Sequence, residues 1–184
     1  IVFGFMGRVS KVKGLDTTLS ALSELSDFPW RFVVVGDGDY RSTFQKSVDR
    51  RGLSSRIMCT GYVPHTDAAQ YLSMFDVLLL PSETQRNWKE QFGRVLVEAL
   101  ACGTPLIGSD SGEIPNVIRR TGGGLTFGEG DPSALRSALV CLGKDAQMRS
   151  SVASDGRDYV LRHHTDEILA ERFVGVLRSA VRGN

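Results

Sequence analysis

No apolar run in the 184 residues approaches the roughly 20 that a membrane-spanning helix needs, and no leader pattern is present. Cysteine is scarce. Cys59, Cys102 and Cys141 are odd in number, widely spaced and set among apolar residues, which argues against a disulfide framework or a zinc site. A reducing, cytoplasmic compartment is the expectation. Neither sign of charge dominates, since Lys and Arg total 22 against 21 for Asp and Glu, so binding to nucleic acid by bulk charge is not expected. Any anionic partner must meet a local cluster. Also missing are internal repeats, low-complexity tracts, a Pro- or Ser-rich linker, and a phosphate loop ending in Gly-Lys-Ser/Thr, which disfavours a nucleoside triphosphatase. One domain over residues 1–184 is expected. The opening Ile1-Val2-Phe3-Gly4-Phe5-Met6 reads as a strand with no Met ahead of it, from which a start inside a longer protein is expected.

What is present has the rhythm of an α/β domain. Short aliphatic runs at Val2–Met6, Phe32–Val35, Ile57–Thr60, Val77–Leu80, Leu106–Ile107 and Gly124–Phe127 alternate with helical stretches, which predicts a parallel sheet with crossover helices. Leu15, Leu19, Leu22 and Leu25 mark one helical core stripe, and Leu135, Leu139 and Leu142 another. Asp131 followed by Pro132 is a helix start. From about residue 145 the strand signals stop, and two amphipathic stretches read as closing helices, one with Met148, Val152, Tyr159 and Val160, the other with Ile168, Phe173, Val176 and Leu177.

The segment Glu90 to Gly103 carries most of the chemical information. After Arg94 every residue through Cys102 is apolar except Glu98, which predicts a buried helix ended by Gly103 and Pro105. A carboxylate one turn inside it needs a partner. Two are open: a structural Arg or Lys, slightly favoured by the segment alone, or the vicinal hydroxyls of a ribose. Phe92-Gly93 at the helix start lets backbone N–H groups approach an anion, aided by the helix dipole. A phosphate there would adjoin a ribose one turn in. Glu90, in a polar loop with Arg86, Asn87, Trp88 and Lys89, is either a solvated acid or an acceptor for sugar hydroxyls.

Gly7-Arg8-Val9-Ser10-Lys11-Val12-Lys13-Gly14 follows the first strand, at the strand end where open α/β sheets bind ligands. It is either a solvated basic loop or a cradle in which Arg8 and Lys13 stabilise a pyrophosphate as it gains charge on leaving. Gly36-Asp37-Gly38-Asp39 lacks the third glycine of a dinucleotide fingerprint, and its place after the second strand fits a turn better than a metal-binding Asp-x-Asp.

Glu90 and Glu98 bracket seven residues and lead into Ala99-Leu100-Ala101-Cys102-Gly103-Thr104-Pro105; this resembles the Glu-x7-Glu signature of family 4 retaining glycosyltransferases, also called glycosyltransferase group 1. Other landmarks agree in order: Gly7-Arg8 with Lys13-Gly14, Val35-Gly36-Asp37-Gly38, Thr60-Gly61-Tyr62-Val63, Asp76 to Pro81-Ser82, and Gly112-Glu113-Ile114-Pro115. The resemblance implies the C-terminal, Rossmann-like half of a GT-B fold, a doubly wound parallel sheet with helices on both faces. The N-terminal acceptor domain would lie outside this chain. It further implies that a nucleoside diphosphate sugar is the substrate, with no metal or other cofactor. Arg8 and Lys13 would hold the diphosphate and Glu98 the ribose. Phe92, Gly93 and Arg94 would meet sugar and phosphate through the backbone, Glu90 a sugar hydroxyl, and Tyr62-Val63 the base. The acceptor would be a glycan, a lipid or another molecule, with peripheral membrane attachment possible through the other half. Gln91, Arg94 and Asn116 depart from residues common in the family. A sugar-nucleotide epimerase of similar architecture and a non-catalytic nucleotide-binding or scaffolding domain are the rival readings.

Overall fold

The structure, a computed structural model, describes residues 1–182, with side-chain surroundings through residue 180. Six strands form one parallel sheet: β1 (Val2–Met6), β2 (Arg31–Val35), β3 (Ile57–Gly61), β4 (Val77–Leu80), β5 (Leu106–Ser109) and β6 (Gly124–Phe127). Their spatial order is β3-β2-β1-β4-β5-β6. Such strands, covered on both faces, must be apolar throughout, and all four residues of β4 are buried.

Among the described residues, seven α-helices supply the cover. Helices α1 (Leu15–Ser23), α2 (Arg41–Arg50) and α6 (Pro132–Lys144) form one layer; α3 (Ala68–Met74), α4 (Arg94–Ala101), α5 (Ile114–Thr121) and α7 (Ala146–His163) pack into the other. Both leucine stripes expected from sequence are buried in the core. The Asp131 carboxylate caps α6 by accepting from the backbone N–H groups of Ser133 and Ala134.

The last helix, α8 (Asp166–Arg182), departs from expectation. It forms where the sequence places it, but Phe173 and Val176 are 65% and 67% exposed, and Leu177 is exposed as well. Among the described residues, nothing covers the apolar stripe of α8 from Phe173 onward, while Ile168 near its start is partly buried. In α7, by contrast, Val160 is buried and Met148 and Val152 pack against the core. Among the described residues, no helix is long and apolar enough to cross a membrane.

The order reverses between β1 and β4, and there the loops leaving the two strands diverge and open a crevice. Gly14, at φ +65°, closes the first loop so tightly that a Cβ would collide with the carbonyl oxygen of Pro81 in the second. Glu83 N donates to the Val12 carbonyl at 2.8 Å, and Thr17 Oγ1 donates to Glu83 Oε1 at 2.6 Å. Both walls of the crevice are thus bonded to each other below its floor.

Candidate functional site

Lys13 and Glu90 meet across this crevice. The ammonium donates to Glu90 Oε2 at 2.5 Å, and the same oxygen accepts from the buried hydroxyl of Ser82 at 3.0 Å. Glu90 is only 9% exposed, which excludes the solvated-acid reading. A carboxylate so enclosed must be paired, and Lys13 and Ser82 supply what burial demands. The Trp88 ring lies 4.9 Å from the ammonium and adds a cation–π contact. Glu90 is held from behind as well: its carbonyl accepts from Glu113 N at 3.1 Å, and a Cβ on Gly112 (φ +57°) would strike that carbonyl oxygen.

Two cavities flank Arg8. One, of about 310 Å³, is lined by Gly7, Arg8, Gly36, Tyr62, Val63 and Pro64 at the ends of β1, β2 and β3. The other, of about 590 Å³, reaches from Gly7, Arg8 and Lys13 to Glu90 and to Phe92, Gly93 and Arg94 at the start of α4. Every one of the residues expected at the phosphates and base therefore lines one or other of these two cavities, which share Gly7 and Arg8. Phe92 is exposed and Tyr62 is 79% exposed, so both apolar rings face open space rather than core. Among the described residues, Arg8 makes only a long, exposed approach to Asp39, at 3.9 Å.

Glu98 corrects the expectation of a wholly buried helix. One side of α4 is open: Arg94 is exposed and Val95, Val97 and Glu98 are only partly covered, while Leu96, Ala99 and Leu100 face the core. The Glu98 side chain is 35% exposed, and His65 Nε2 lies 4.0 Å from its carboxylate. No Arg or Lys pairs with it among the described residues, so the structural salt bridge, slightly favoured on sequence alone, is overturned. Glu98 lies outside the walls of both cavities but shares its helix face with Arg94, one turn earlier, and adjoins His65, next to the wall residue Pro64.

Sequence reading missed Ser82, Trp88 and His65. Pro81-Ser82 had been noted only as a landmark, and the burial of a serine at a strand end has no local signature. His65 and Glu98 are 33 positions apart, and only the fold brings them together.

The sequence profile described as "Glycosyl transferases group 1" matches residues 1–159. The chain belongs to that family. A relative, the 2-deoxystreptamine N-acetyl-D-glucosaminyltransferase of Streptomyces fradiae, is 32% identical over 186 residues, covering 98% of this chain and 42% of its own length. Sucrose-phosphate synthase from Thermosynechococcus elongatus superposes at a TM-score of 0.88 with 25% identity, over all of this chain and 46% of that one. The Anabaena protein HepE, solved with UDP and glucose, superposes at 0.86 with 24% identity, over 97% and 48%. This glycosyltransferase chain thus spans less than half the length of these relatives, and its architecture is that of GT-B enzymes.

Proposed function

We propose that the chain is the donor-binding half of a retaining glycosyltransferase, and that it holds a nucleoside diphosphate sugar in the crevice at the sheet reversal. The observation that carries this reading is that two cavities share Gly7 and Arg8, one lined also by Tyr62 and Val63 and the other by the start of α4. Tyr62 and Val63 border the base, Arg8 and Lys13 take the diphosphate, and the backbone at Phe92, Gly93 and Arg94 meets phosphate and sugar with the helix dipole behind it. Glu98 accepts from the ribose hydroxyls, for which a partly exposed carboxylate without an Arg or Lys partner is suited, and His65 stands beside it. That HepE, which shares this fold, was solved in complex with UDP and glucose supports this reading.

In transfer, the bond from the anomeric carbon to the diphosphate oxygen breaks and a bond to the acceptor oxygen forms; the electron pair goes to the diphosphate oxygen, which takes up the proton that the acceptor hydroxyl releases. Arg8 and Lys13 stabilise the charge that builds on the departing oxygen. Glu90, bonded to Lys13, keeps that ammonium in place and offers its second oxygen to a sugar hydroxyl. No metal is assigned a role: the full-length enzyme is expected to retain its rate in the presence of a chelator. The acceptor domain is supplied by chain beyond these residues, a reading that the uncovered stripe of α8 supports, and this half alone transfers nothing.

Calorimetric titration with uridine, guanosine and adenosine diphosphates, with and without attached sugars, tests the assignment. One base is expected to bind, with Arg8→Ala weakening it by about tenfold or more. No binding by any member of the panel, or sugar transfer by this chain unaided, would sink it.

A further inference from the structure

Beyond the Lys13–Glu90 pair the crevice widens into a vestibule of about 1090 Å³, nearly twice the cavity at the start of α4. Its walls are the loop carrying Arg8 and Lys13 and the loop from Thr84 to Gln91. Four cations line it, Arg8, Lys13, Arg86 and Lys89, against one carboxylate, Glu90, which already receives Lys13. Arg86 and Lys89 form no ion pair among the described residues, and they do not line the neighbouring cavity assigned to the diphosphate. Trp88 stands between them in sequence, with its ring turned against Lys13.

This charge exceeds what a diphosphate requires. Arg8, Lys13 and the helix start already face the phosphates, so the two loop cations, which form no ion pair of their own, add positive charge on the side where sugar and acceptor must meet, although the Glu129 carboxylate accepts from Thr84 N in the same loop. We propose that the vestibule is a second anion site, which takes a phosphate or carboxylate carried on the transferred sugar or on the acceptor. An amine-bearing acceptor would meet like charges there. Guanidinium and ammonium groups with the Asn87 and Gln85 amides nearby suit an oxyanion. The location relative to donor and acceptor rests on the donor-binding reading; the anion preference does not.

Two arms separate the sources. Glucose 6-phosphate against glucose, with and without a saturating nucleoside diphosphate, probes an anion on the acceptor. A nucleoside diphosphate uronate against the matching neutral hexose nucleotide probes one on the donor. Calorimetry measures affinity, and emission from Trp88 reports occupancy, since the other tryptophan, Trp30, is buried. In at least one arm the charged ligand is expected to bind about tenfold more tightly than its neutral counterpart. Arg86→Ala with Lys89→Ala should abolish that preference while leaving affinity for the bare nucleoside diphosphate unchanged, and Arg86→Lys with Lys89→Arg should restore it. Equal binding of charged and neutral ligands in both arms, or a preference that survives loss of both loop cations, would overturn the proposal. Should no nucleoside diphosphate bind, the donor reading fails, and glucose 6-phosphate alone still decides the vestibule.

Discussion

Lys13 and Glu90 depend on one another more than either depends on solvent. Lys13→Met leaves a nearly buried carboxylate with only the Ser82 hydroxyl, and a stability loss on the order of 3 kcal/mol is expected in urea denaturation. Adding Glu90→Gln removes the stranded charge, so the double variant should be more stable than Lys13→Met alone; an equal or larger loss would mean that the pair is not coupled. Glu98 sits in a different situation. Its carboxylate is partly exposed and has no Lys or Arg to lose, so Glu98→Gln should leave the midpoint of unfolding in place and lower affinity for the nucleotide, as equilibrium titration would show. Sequence neighbours point the other way, since those of Glu90 are mostly polar and those of Glu98 apolar. In the fold, burial is set by distant residues: Ser82, Gly112 and Lys13 enclose Glu90, while one side of α4 is left uncovered.

At the scale of elements, the sequence was far more transparent. All six strands lie where aliphatic runs place them, within a residue or two at each end, because covered parallel strands need unbroken apolar stretches and little else does. The joins between elements were less legible, since they rest on contacts of high sequence separation. Gly14 is one: Gly14→Ala should push the Lys13 loop off Pro81, destabilise the fold by more than about 1 kcal/mol, and weaken diphosphate binding together with stability. Another join ties α2 to α1, where Tyr40 Oη donates to Asp16 Oδ2 at 2.5 Å. That hydrogen bond, with burial second, raises the phenol from its ordinary 10.0 to about 12. Because the folded value is the higher one, the stabilisation is complete below pH 10.0 and is lost as pH rises through about 12. Unfolding free energies across that window should fall for the parent protein and fall less for Tyr40→Phe. Identical slopes would remove the Asp16 contact from the account.

Over the whole molecule, stability and exposure divide sharply between the sheet layers and the last helix. Leu139→Ala, in the fully buried stripe of α6, is expected to cost about 3 kcal/mol. Phe173→Glu in α8 should change stability by less than about 0.5 kcal/mol despite its larger side chain, because it has little cover to lose. Thermal denaturation of both variants checks the contrast, and a large loss for Phe173→Glu would mean that α8 is covered in solution. The family and the fold class could be read from ordered motifs along nearly the entire chain, whereas the outward stripe of α8 could not, since amphipathic periodicity marks an apolar face without saying what lies against it.

The ammonium of Lys13 is never idle. On the proposed reading, an incoming phosphate would find it already engaged by an internal anion, so that part of the attraction is cancelled in advance, and a departing nucleotide would return the cation to Glu90 instead of to bare water. On that reading, such a standing rival loosens ground-state grip and hastens departure of the by-product, while the extra charge that develops only during bond cleavage can still draw the ammonium over.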